Sequence, residues 1–257
     1  MLRANSQGWA RLLRALSGLP GSGLFGRLVV VFWVIALGGM SAGQDLRTRE
    51  GCEDLGAIGA EGLEEEVGWT DLLSGELQTV WRSYPEGGLG EGEAAAGVRV
   101  WHVEADEGGE RVLICSGQPR GFLRTEARYG DFELRGEWRY LKDADGNSGI
   151  LVFTQAEERI WPTSVQIQLH QPKAGSTFPS GDAKTDNVLE LETSSARPPG
   201  QWNECRIVCR RGTVTIEMNG RRVGEITGAR PAEGHLALQS EGAEVHFRRL
   251  RIRRLRE

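Results

Sequence analysis

The residues best suited to chemistry fall in one short run, Val165-Gln-Ile-Gln-Leu-His170. Along an extended strand successive side chains point to opposite faces. Val165, Ile167 and Leu169 therefore share one face, and Gln166, Gln168 and His170 the other. A merely solvated face carries Lys, Glu, Thr or Arg. A row of two amides and an imidazole instead offers donors and acceptors together, which is what sugar hydroxyls require. The competing reading is a polar face that hydrogen-bonds its neighbour strands. Acid/base work needs carboxyl groups whose environments separate their proton affinities, and the strand candidates are Glu137, Glu190 and Glu192. Glu137 is flanked on its own face by Arg135 and Arg139, a setting that keeps a carboxylate ionised and paired. An ordinary cross-strand ion pair explains it equally well. His170 and Glu137 are thus the catalytic candidates, with Gln166, Gln168, Arg139 and Asn147 as candidates for holding substrate.

Other chemistry is weakly supported. Asp143-Ala-Asp-Gly-Asn147 mimics the start of a calcium loop, but Ser148 and Thr154 stand where Gly and Glu are needed. It reads as a hairpin turn. Asp182 and Asp186 read as solvated loop carboxylates, and the cysteine spacing matches no zinc pattern. No Gly-x-Ser-x-Gly, His-Glu-x-x-His or phosphate loop is present. No cofactor is predicted; a structural or catalytic divalent metal stays open, with no ligands assigned. Cys205 and Cys209 lie four apart on a predicted strand, so roughly 13 Å separates them and they cannot bridge.

These residues must be positioned by strands. From residue 67 onward short alternating runs are separated by Gly, Asn, Asp and Pro, which predicts an all-β sandwich. Phe132-Glu-Leu-Arg-Gly-Glu-Trp-Arg-Tyr140 alternates cleanly, with Phe132, Leu134 and Trp138 inward. Further strands are expected over 98–104, 111–116, 150–154, 165–169, 188–192, 206–209, 213–218, 235–239 and 245–252. Asn219-Gly220 signals a type I′ hairpin. Residues 85–97 and 174–187 read as surface loops, and no useful helical period occurs. The C-terminal Phe247-Arg-Arg-Leu-Arg-Ile-Arg-Arg-Leu-Arg256 reads as a last strand with an Arg-coated, solvated face.

The 257 residues carry a formal charge of −5, and the first 43 hold four Arg and no acid. The acidic remainder argues against nucleic acid as a partner. Within that leader the apolar run Leu28-Val-Val-Val-Phe-Trp-Val-Ile-Ala-Leu37 precedes Gly38, Gly39, Ser41, Ala42 and Gly43. This is the order of a signal peptide; the run is short for a span of roughly 20 apolar residues, and an uncleaved anchor over 28–40 is the alternative. The expected organisation is a signal peptide or anchor (1–43), an acidic flexible linker (44–66) and one domain (67–257). The protein is expected to be exported, periplasmic or extracellular, touching membrane only through that N-terminal segment.

Several segments, in order, resemble the 3-keto-disaccharide hydrolase family. They are Gly68-Trp-Thr-Asp-Leu-Leu-Ser-Gly75 with Trp81, Gly121-Phe-Leu-Arg-Thr125, Tyr129-Gly-Asp-Phe-Glu-Leu134 and Gly146-Asn-Ser-Gly-Ile150. Trp161-Pro-Thr-Ser-Val-Gln-Ile-Gln168, Gln201-Trp-Asn203, Asn219-Gly220 and Gly234-His-Leu-Ala-Leu-Gln-Ser-Glu-Gly242 with Val245-His-Phe-Arg248 complete the set. The resemblance implies a concanavalin-like jelly-roll β-sandwich facing a carbohydrate, a keto-sugar or glycan. It also implies cleavage of a glycosidic bond beside a 3-keto sugar. Three positions depart from the family pattern. Its Glu-x-Gln reads Gln166-Ile-Gln168, a His in a close subgroup is Phe153, and Ala-Gly-Asp reads Ala174-Gly175-Ser176. An amide cannot shuttle a proton, so either catalysis rests elsewhere, on His170 or Glu137, or the domain only binds.

Two functions follow. The first is an exported hydrolase of 3-keto-glycosides. A 3-keto group acidifies the neighbouring C–H, so cleavage by elimination needs one base, here His170, and an oxyanion stabiliser. Gln166, Gln168 and Asn147 would orient hydroxyls, and Glu137 and Arg139 would complete the polar wall. The alternative is a non-catalytic carbohydrate-binding module; a tethered structural domain of the cell surface is a third reading.

Overall fold

The computed structural model describes residues 68–85 and 99–256. The expected leader, the acidic linker, Cys52 and most of the 85–97 loop lie outside the described residues. Within them the chain forms β1 (Thr70–Asp71), a one-turn helix α1 (Leu77–Val80), β2 (Trp81–Tyr84), β3 (Trp101–Ala105), β4 (Arg111–Cys115), β5 (Gly121–Tyr129), β6 (Phe132–Arg139), β7 (Gly149–Thr154), β8 (Ser164–Gln168) and β9 (Thr177–Ser180). Then follow β10 (Asn203–Arg210), β11 (Thr213–Met218), β12 (Arg221–Ile226), β13 (Gly234–Ser240) and β14 (Val245–Arg254). One sheet has eight strands in the order β12-β11-β10-β6-β14-β4-β3, with β1 added on β14. The other has six, β2-β5-β13-β7-β8-β9. The expected all-β jelly-roll sandwich is what forms.

Alternation builds the core. Phe132, Leu134 and Trp138 of β6 and Ile207 of β10 face Val165 and Ile167 of β8, Leu123 of β5 and Leu238 of β13, all at most 1% exposed. Each such side chain contributes about 1.5–3 kcal/mol on burial. The inner residues of β14, Phe247, Leu250 and Ile252, are not spaced by two. They share one face because the register against β6 shifts between Arg248 and Arg251, and Arg249 takes a left-handed φ of 52°. A bulge of that kind resets the parity of the strand. Asn219 (φ 53°) and Gly220 (φ 74°) form the expected I′ turn between β11 and β12.

Two expectations change. The 174–187 loop contains β9, an edge strand beside β8. The strand expected over 188–192 is not one: only Leu189 bridges, to Thr177. Glu190 and Glu192 are therefore exposed loop residues. Cys115, Cys205 and Cys209 are buried free thiols, and burial pushes Cys115 up to about 11 and Cys205 up to about 12.

Candidate active site

The register of the six-stranded sheet decides which side chains share its outer face. Because Val165 and Ile167 enter the core, Gln166 and Gln168 point outward. Gly149 pairs with Gln168 and Leu151 with Gln166; Ala237 pairs with both Leu151 and Arg124, and Gln239 with Phe122. Tyr84 lies opposite Phe122, and their rings stack 5.3 Å apart at 21°.

The three glutamines on this face form a directed relay. Gln239 Nε2 donates to Gln166 Oε1 (3.3 Å), and Gln166 Nε2 donates to Gln168 Oε1 (2.9 Å). Gln166 and Gln239 are 5% and 1% exposed. The relay fixes which amide end is left over. Gln239 keeps an acceptor, Oε1, buried without a partner, and Gln168 keeps its N–H donors at the other end. Buried polar atoms are nearly always satisfied, and Gln239 Oε1 has no protein partner. Gly149 makes the row feasible, because a Cβ there would lie 2.2 Å from Gln239 Oε1.

A second row continues past the strand ends. Leu169 N donates to Ser148 O (3.0 Å) and Gln171 N to Gly146 O (2.9 Å), so the β7–β8 register runs on and sets Asn147 beside His170. The β13–β7 register, extended three residues past Leu238, sets Glu241 on the other side of Asn147. The β13–β5 register sets Arg120 beyond Glu241. Arg120, Glu241, Asn147 and His170 thus form one row on the outer face. Strands lie about 4.8 Å apart, so the Glu241 and His170 backbones stand roughly 10 Å apart with Asn147 between.

Glu241 was not singled out from the sequence, although it lies in a quoted segment. Its Oε2 is buried and unpartnered, as is Asn147 Oδ1. Burial raises the Glu241 carboxyl above its ordinary value, and the Arg120 charge offsets this only in part. Burial also raises the Tyr140 hydroxyl, and the Glu241 charge adds to it. That hydroxyl donates to Leu169 O (3.1 Å), and the Tyr140 ring lies against Gly146. The missed signal was parity: Gln239 and Glu241 are the polar residues two apart after Ala237.

Next to the glutamine row an open cleft of about 350 Å³ is lined by Gln168, His170, Phe178, Val188, Leu189 and Glu190, among others. Gln168 and His170 therefore belong both to the polar rows and to the cleft.

Glu137 and Arg139 are elsewhere. Gly136 and Trp138 of β6 face inward, so Glu137 and Arg139 lie on the outer face of the eight-stranded sheet, across the core from His170. They do not complete a wall with the glutamines. Nor do Arg135 and Arg139 hold Glu137: its carboxylate accepts from Arg248 Nε (2.7 Å) and Arg249 Nη1 (2.8 Å) on β14. Arg139 and Arg248 stack on Trp202 at 4.3 and 4.2 Å. Nearby, Glu133 is 1% exposed; burial alone would raise it, but hydrogen bonds from Arg206, Arg253 and Arg135 outweigh that and hold it below its ordinary value. This face has a larger depression, about 550 Å³, lined by Arg135, Glu137, Arg206, Glu217 and Arg249 among others. Size favours it, but Glu137, Arg206, Glu217 and Arg249 are already committed to ion pairs. The six-stranded face, with unpartnered acceptors, is the better candidate.

Asp182 and Asp186 pair with Arg159 and Arg230. No group of three or more His, Cys, Asp or Glu that could hold a metal occurs among the described residues.

A family model described as a 3-keto-alpha-glucoside-1,2-lyase-like domain matches residues 68–253. A 3-keto-disaccharide hydrolase of Bacteroides thetaiotaomicron is 22% identical over 180 residues, covering 52% of this chain and 61% of that protein. The match thus spans less than two thirds of the relative. A crystal structure of a provisionally assigned glycosyl hydrolase from Parabacteroides distasonis shares the fold, with a TM-score of 0.54 at 20% identity. It covers 77% of this chain and 99% of that one.

Proposed function

Because the chain belongs to the 3-keto-alpha-glucoside-1,2-lyase-like family, we propose that it cleaves the glycosidic bond of 3-keto-glycosides or 3-keto-disaccharides on the outer face of its six-stranded sheet. The observation that carries this reading is the unpartnered, partly buried Glu241 carboxyl, set in one row with Asn147 and His170. The 3-keto group makes the C2 proton acidic. His170 takes that proton, and the electron pair moves toward the keto oxygen, where the free N–H donors of Gln168 stabilise the charge. The C1–O bond then breaks, and the leaving oxygen takes a proton from Glu241. A raised carboxyl favours the protonated form this step needs. The products are the free aglycone and a C1–C2 unsaturated keto-sugar. Water adding across that double bond completes hydrolysis and returns the protons. Asn147, beside His170, positions a hydroxyl through its unpartnered Oδ1. On the leader-like order of residues 1–43, the enzyme is read as exported.

The test is cleavage of a 3-keto-glucoside in deuterium oxide. Deuterium should appear at C2 of the product, and His170→Ala should abolish both cleavage and exchange. Glu241→Gln should lose activity on an alkyl aglycone yet recover much of it on a nitrophenyl aglycone, which leaves without acid help. Full retention of the C2 proton refutes elimination. Gln166, standing where the family has a carboxylate, favours a second reading as a binding module; keto-sugar binding without release of 3-ketoglucose would establish it.

A further inference from the structure

The polar rows account for one sugar ring, yet the surface beside them changes character. Past Gln168 and His170 the cleft wall turns apolar, with Phe178 on β9 and with Val188 and Leu189 on the following loop; Val188 is 58% exposed. An exposed branched side chain over a cleft is a surface without an internal partner. Ligand sites combine such apolar walls with a few polar groups. Two charges stand at this wall, Lys173 and Glu190. The Lys173 ammonium donates to Leu191 O (2.9 Å), which ties it to the loop. With one positive and one negative side chain the cleft carries no net charge.

We propose that this cleft seats the second, uncharged ring of the substrate, with Phe178 and Val188 against its C–H face and the Lys173 and Glu190 charges in balance. The proposal rests on the functional reading above and gives the substrate a direction across the sheet. The keto ring lies over the polar rows, within reach of His170 and Gln168, and the departing ring extends into the cleft. Continuity carries the argument, because Gln168 and His170 line both halves.

Binding is read in a Glu241→Gln background, so that ligand is not consumed. The quantity is the ratio of affinities for 3-keto-trehalose and methyl 3-keto-α-glucoside, which differ by the second ring. Val188→Asp should lower that ratio by about tenfold, the scale of one lost apolar contact. Glu190→Lys should raise affinity for a uronate-bearing second ring relative to the neutral one, again by about tenfold. An unchanged ratio in Val188→Asp overturns the proposal, as does equal weakening of both ligands. Absence of turnover by the unaltered protein, together with the expected fall in ratio, would sink the catalytic reading and leave the subsite standing.

Discussion

Gly149→Ala tests the glutamine row most directly. Gly149 has no left-handed φ, so alanine introduces no backbone strain there. What it introduces is a methyl group 2.2 Å from Gln239 Oε1, 3.1 Å from Gln239 Cδ and 3.3 Å from Gln166 Cγ. Carbon contacts settle near 3.5–4.0 Å, so the Gln239 amide must withdraw by about 1 Å or more. It has no room, being 1% exposed. Overpacking of this kind costs about 1–3 kcal/mol, and losing the 3.3 Å bond to Gln166 adds about 0.5–1.5 kcal/mol. Alanine recovers about 0.5–1 kcal/mol of backbone entropy relative to glycine. The net expectation is a loss of about 1–3 kcal/mol, seen as a lower urea midpoint at constant slope. Binding of a 3-keto-glucoside should weaken in parallel, because Gln168 loses its oriented neighbour. A double-mutant cycle sharpens the test. In the Gly149→Ala background, Gln239→Ala removes the clash and should be less costly than in the unaltered protein, with a coupling of about 1 kcal/mol or more. Equal costs in both backgrounds, or a Gly149→Ala midpoint equal to that of the unaltered protein, would refute the packed relay.

Two further outcomes concern the carboxyls. Glu133→Gln should destabilise at pH 7 by about 3 kcal/mol, the low end for breaking a buried ion pair, since its three Arg partners stay 27–37% exposed. Glu133 is held below its ordinary value, so its contribution is present above about pH 4.5 and is lost as pH falls through the folded value. Melting curves of the two proteins should therefore converge in acid. Glu241 has the opposite sign. A raised carboxyl favours the fold only while protonated, and that stability is lost as pH rises through its folded value. Glu241→Gln should consequently melt higher than the unaltered protein at pH 7 and equal to it near pH 4; a lower melting temperature at pH 7 contradicts the burial of an unpaired acid.

Much of the fold was legible because alternation is local. The inward set of β6 and the turn at Asn219-Gly220 follow from sequence period and turn chemistry alone. β9 was hidden for a physical reason. Thr177-Phe-Pro-Ser180 includes Pro179, which has no N–H for a ladder and argues against a strand. It is tolerated because β9 is the edge strand beyond β8. The 188–192 run has strand-like residues, but only Leu189 finds a partner.

The site was half legible, and the division is instructive. Alternation correctly put Gln166, Gln168 and His170 on one face, and it put Glu137 and Arg139 on one face of β6. It could not say that these two faces look away from each other, because sheet membership is set by long-range pairing. β6 lies between β10 and β14, whereas β8 lies between β7 and β9. The amide at Gln166 left the sequence without an obvious acid near His170. The acid proposed above, Glu241, directly follows β13 and is separated from His170 by 71 residues of chain and one intervening strand. That geometry changes what the amide at 166 means. Gln166 accepts from Gln239 and donates to Gln168 at once, which a carboxylate could not do because it has no donor. An amide there orders the row, and in the proposed mechanism the proton chemistry passes to the row above it.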